Sequence, residues 1–152
     1  MDLAALHEEW ITADPVQVGK VVLGALTPQE RVARALAMLD LCRACCPPIA
    51  AVDVVMTIGS NAGRWREAHR AFQDVRGLTL LEERKPTNRA YGSLLFVAEN
   101  TAKTIFNASG EPAPFDEDAP WWLASNVLHL ARTVRDSGLQ EALWRALTGT
   151  DP

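Results

Sequence analysis

A chain of 152 residues, 48% of them hydrophobic and 22% charged, can bury a core without disulfide or metal staples, and this balance excludes wholesale disorder. A net charge of −4 argues against a surface given over entirely to nucleic acid, because phosphate binding needs clustered Lys and Arg. No run reaches the roughly eighteen apolar residues that cross a bilayer, and MDLAALHEEW places acids where a secretory signal would place bases, so a single cytoplasmic domain over residues 1–152 is expected.

Leu3, Leu6, Trp10 and Ile11 predict a short first helix ending before Asp14-Pro15. Pro15 suits the first turn of a second short helix carrying Val18, Val21, Val22 and Leu26, although Gly19 and Gly24 weaken it. The Val-rich run has strand propensity, but no partner with period-two alternation stands elsewhere, which favours helix. Thr27-Pro28-Gln29-Glu30 is a helix start: a Thr cap, Pro in the first turn and a Glu to complete a capping box. Beyond it Val32, Ala35, Leu36, Leu39, Cys42 and Cys45, with Met38 beside them, form a broad apolar face that ends at Pro47-Pro48.

A fourth helix runs through Ala51, Val52, Val55, Met56 and Ile58 and is nearly apolar all round, as expected of a helix in the middle of a bundle. Gly59-Ser60-Asn61 reads as its stop. The next helix carries Trp65, Ala68, Phe72 and Val75 and is predicted to close at Gly77. Leu78 to Pro86, including the charged run Glu82-Glu83-Arg84-Lys85, is expected to be extended or a turn.

The rest of the chain is organised around Thr87 to Leu123. Tyr91, Leu94, Leu95, Ala98, Ala102, Ile105 and Phe106 recur at three- and four-residue steps and line one side of a long helix. Asn107, Ser109 and Gly110 supply its stop, and Pro112 and Pro114 prevent its resumption. Asp116 or Asp118 is expected to cap the following helix, with Pro120 in its first turn and Leu123, Val127, Leu130, Ala131 and Val134 as its buried stripe. Asp136-Ser137-Gly138 breaks that helix, and a last one carries Leu139, Ala142, Leu143, Ala146 and Leu147. The patterns together predict an all-α fold, a single-domain bundle of about six to eight helices.

The most unusual stretch runs from Glu111 to Trp122. The successive carboxylates of Asp116, Glu117 and Asp118 repel one another unless water, a helix N-terminus or a cationic partner stabilises them. They read either as a helix start with one tryptophan in the core, or as a protein-binding surface in which Trp121 and Trp122 supply area and the acids steer a basic partner. Their oxygens could take a hard cation, but the glycine and distal Glu of an EF-hand loop are missing, and neither a metal nor another cofactor is expected.

Cys42-Arg43-Ala44-Cys45-Cys46 shows the two-residue spacing of zinc and thioredoxin sites. No second pair exists and no strand precedes it, so the apolar stripe claims Cys42 and Cys45 for the interior. His7 with Glu8 and Glu9 lacks the second His of a zinc-protease helix. Glu99 and Lys103, four residues apart on the long helix, are expected to pair with each other, and His129 lies too far along its helix to join the acids.

In Arg64-Trp65-Arg66-Glu67-Ala68-His69 an Arg is followed after four residues by a His. This stretch resembles the motif of HEPN ribonucleases, small helical bundles that cleave RNA at a dimer interface; the position after the Arg, usually polar in that family, is Trp65 here. The resemblance implies metal-independent cleavage in which Arg64 neutralises a phosphate and His69 acts as acid or base. Between Arg64 and Arg89 seven basic residues stand against four acids, a segment able to face nucleic acid on an otherwise acidic chain. The leading expectation is nevertheless a non-catalytic cytoplasmic interaction module, an inhibitor or immunity-type protein that binds a basic protein through Asp116, Glu117, Asp118, Trp121 and Trp122. The HEPN-like endoribonuclease built on Arg64 and His69 is the alternative.

Overall fold

The first two helices are short because each is bounded by its own cap. Asp2 accepts from the Ala5 amide and Asp14 from the Gln17 amide, starting α1 (Leu3–Thr12) and α2 (Pro15–Gly24). The capping box at Thr27 and Glu30 is formed in both directions, at 3.2 and 2.8 Å, and opens α3 (Pro28–Arg43). There follow α4 (Ala50–Gly59), α5 (Trp65–Arg84), α6 (Arg89–Ala108), α7 (Ala119–Val134) and α8 (Ser137–Thr148), the last capped by Asp136. This architecture is that of a computed structural model, described for residues 1–59, 65–110 and 115–150, with the Trp65 side chain also outside the description. Among the described residues every regular element is a helix, and none is long and apolar enough to cross a membrane.

Helix α6 occupies the middle, packed by α3, α4, α5 and α7. Its expected stripe is buried from Leu94 to Phe106, with Tyr91 half-buried at the edge. Burial extends further round the helix than periodicity indicates, taking in Ser93, Val97, Glu99, Thr101 and Thr104. The two threonine hydroxyls are satisfied by donating to carbonyls one turn back, Thr101 to Val97 at 2.8 Å and Thr104 to Asn100 at 2.7 Å. Gly110, at φ 77°, takes the left-handed conformation that the stop required.

Two expectations are corrected. The helix predicted to close at Gly77 continues to Arg84, so residues 78 to 84 are helical rather than extended. A glycine costs a helix only about 1 kcal/mol, and α5 recovers more by lying antiparallel to α6 along its whole length. His69 accordingly meets Phe106, Arg76 meets Glu99, and Glu82 reaches the start of α6. Pro86 follows the true end. The apolar fourth helix, in turn, lies at the edge of the bundle: Val52, Val55 and Ile58 are buried, but Val54 is 46% exposed. The stop at Ser60-Asn61, the prolines 112 and 114 and the tail residues 151–152 fall outside the described residues.

The glycine in α2 expected to weaken that helix has a packing role. A Cβ on Gly19 would sit 2.3 Å from the Trp121 carbonyl oxygen, so its absence lets α2 approach α7 backbone to backbone.

Candidate functional site

The acidic corner forms where the chain enters α7. Asp118 occupies the N-cap position with a helical backbone, φ −85° and ψ −2°, and its side chain makes no cap bond. Capping needs an extended backbone that turns the side chain back onto the first-turn amides. The expectation that Asp116 or Asp118 caps this helix is therefore corrected. The Trp122 indole N–H instead donates to the Asp118 carboxylate at 3.3 Å, while Asp116 contributes its carbonyl, which accepts from the Ala119 amide and the Asn107 side chain, each at 3.2 Å. Among the described residues the carboxylates of Asp116 and Glu117 have no protein donor, and all three acids are exposed.

The neighbouring tryptophans part ways because one helical step rotates the side chain by about 100°. Trp122 is 46% exposed. Trp121 turns inward against Gly24 of α2 and under Arg31, whose guanidinium carbon lies 5.2 Å from the ring centre. Arg31 also donates from Nε to the Leu23 carbonyl at 2.8 Å and from Nη2 to the Gly24 carbonyl at 3.3 Å. It thereby satisfies the unpaired end of α2 and holds the α2–α3 corner against α7.

Between the first turn of α3, the last turn of α6 and the start of α7 lies a cavity of about 550 Å³. Pro28, Pro120 and Trp121 form apolar walls, and Arg31, Asn107 and Glu117 bring polar groups to it. The Asn107 Oδ1 is buried without a hydrogen-bond partner, an arrangement that costs about 1–3 kcal/mol. No ion pair joins Arg31 to Glu117, although both line the same space. Sequence reading missed Arg31 and Asn107. Arg31 stands outside the apolar steps of α3 and Asn107 reads as part of a helix stop, and neither pattern reports what packs opposite.

The candidate ribonuclease pair divides. Arg64 lies outside the described residues. His69 is half-buried in an aromatic cluster, stacked on Phe115 at 5.5 Å and tilted against Phe106 at 5.8 Å. Phe72 meets Phe115 edge-on at 4.5 Å, and the Lys103 ammonium lies 5.2 Å above the Phe72 ring. The segment's charge is interleaved: Arg70 shares a surface depression with Glu67 and Asp74, and Arg76 lies 3.6 Å from buried Glu99. The expected Glu99–Lys103 pair is thus replaced, because α5 presents a cation to one residue and a ring to the other.

Cys42 is fully buried, but α3 ends at Arg43, so Cys45 and Cys46 sit half-buried in the turn beyond it. Burial pushes all three thiols up, which keeps them protonated and poor nucleophiles. His7 lies 3.1 Å from Glu141 and edge-on to Trp144, tying α1 to α8, and His129 is exposed on α7. Among the described residues no three His, Cys, Asp or Glu gather as a metal site. Comparison with models of known families, with curated proteins and with solved structures returns no match for this chain.

Proposed function

We propose that this chain is a small cytoplasmic protein-interaction module, of the inhibitor or immunity type, that grips a basic protein through Asp116, Glu117, Asp118 and Trp122. One observation carries the reading: the acids are exposed and unspent on helix capping, while the indole beside them is held outward by its bond to Asp118. An exposed Trp supplies buried area on association, and carboxylates around it steer a cationic patch and set its register. Trp121, half-buried under Arg31, supports the corner from within rather than meeting the partner. The half-burial of His69 among phenylalanines favours a packing role for that residue over RNA cleavage.

The test is affinity capture from the native host with the full chain and with Trp122→Ala and Asp116→Asn/Asp118→Asn variants of unchanged helical circular dichroism. A basic protein retained by the parent, released by salt and lost with either variant supports the proposal. Equal capture by all three, or retention of RNA that His69→Ala abolishes, overturns it.

A further inference from the structure

The cavity behind the acidic corner brings Arg31 and Asn107, which the partner surface does not use, beside Glu117, which it shares. Asn107 borders it, with its Nδ2 donating to the Asp116 carbonyl at 3.2 Å and its Oδ1 closed off from solvent. Arg31 lines the same cavity, with two of its N–H groups given to the Leu23 and Gly24 carbonyls and further donors remaining. Glu117 brings a full negative charge that neither Arg31 nor any other described residue neutralises. A simple cation entering here would face Arg31, and a simple anion would face Glu117. A molecule carrying one charge of each sign satisfies both groups at once.

We propose that this cavity binds a free α-amino acid with an apolar side chain. Its carboxylate would accept from Arg31, its ammonium would donate to Glu117, and its side chain would lie against Pro28, Pro120 and Trp121. The volume, about 550 Å³, falls within the range of roughly 300–1,000 Å³ that small-molecule sites occupy. The site goes beyond the partner-binding reading and stands without it, although Glu117 borders both.

The experiment is a titration of the isotope-labelled full chain, followed by NMR, with L-leucine, L-methionine and L-phenylalanine. At least one is expected to give saturable shifts in the Trp121 indole and Asn107 amide signals. N-acetyl-leucine, which lacks the ammonium, and leucinamide, which lacks the carboxylate, should each bind about tenfold more weakly than leucine or not at all. Glu117→Gln changes an exposed side chain and should fold normally, yet weaken leucine about tenfold while leaving N-acetyl-leucine unaffected. Trp122→Ala should leave amino-acid binding intact, which separates this site from the partner surface. Absence of saturable shifts with all three amino acids up to about 10 mM would mean that the cavity holds solvent only. That result, or equal binding of the singly charged derivatives, overturns the proposal.

Discussion

The indole N–H of Trp10 in α1 donates to the backbone carbonyl of Ala124 in α7 at 2.7 Å, with Trp10 wholly buried. That bond fastens the N-terminal helix to the one carrying the acidic corner. Trp10 also packs 5.3 Å from Trp144, so α1, α7 and α8 meet at a single ring. Trp10→Phe keeps most of the apolar bulk but leaves the carbonyl unpaired, and a loss of about 1–3 kcal/mol in urea unfolding is expected. A larger loss for Trp10→Ala would reflect the added cavity.

The glycines of α2 and α5 predict opposite outcomes for the same substitution. Gly19→Ala drives a methyl into the Trp121 carbonyl and should destabilise by about 1–3 kcal/mol, as α2 is pushed from α7. Gly77→Ala meets no atom within 4 Å on an exposed face of α5 and should stabilise by about 0.5–1 kcal/mol. Thermal melts of the two variants beside the parent would show the contrast directly. A destabilising Gly77→Ala would contradict the helical continuation through that residue.

Glu82 makes the loop between α5 and α6 sensitive to acid. Its carboxylate accepts from the backbone amides of Thr87 and Asn88, at 2.6 and 3.0 Å, and from the Thr87 hydroxyl, and these bonds hold it below the usual carboxylate range. A group whose folded-state value is depressed contributes stability that is fully present above its unfolded value and is lost as pH falls through the folded one. Melting temperature should therefore decline with acidification below the ordinary glutamate range, and Glu82→Gln should flatten part of that decline. Identical acid profiles for variant and parent would show that these bonds do not persist in solution.

The two tryptophans at the start of α7 should separate binding from stability. Trp122→Ala is expected to cost about 2 kcal/mol in partner affinity and little in unfolding free energy, because its ring is already 46% exposed. Trp121→Ala removes the ring beneath Arg31 and beside Gly24, and should lower stability by about 2–4 kcal/mol. Calorimetric titration with the captured partner and urea unfolding measure the two effects. Loss of stability from the first substitution, or of affinity alone from the second, would reverse the assignment.

Much of this architecture was determined by the order of residues alone. The capping box at Thr27 and Glu30, the apolar steps from Leu94 to Phe106 and the left-handed stop at Gly110 act through neighbours within a turn or two, so local spacing suffices to specify them. Exposure of Asp116 to Asp118 was equally legible, since successive carboxylates are rarely buried. The tertiary structure decided whatever depended on residues distant in the chain. Packing against α6 carried α5 past Gly77, the rotation of α7 sent Trp121 inward and Trp122 outward, and the meeting of three helix ends placed Arg31, Asn107 and Glu117 around one cavity. A helix repeats its own pattern in the sequence, whereas the partner it buries that pattern against is chosen only when the whole set of helices closes.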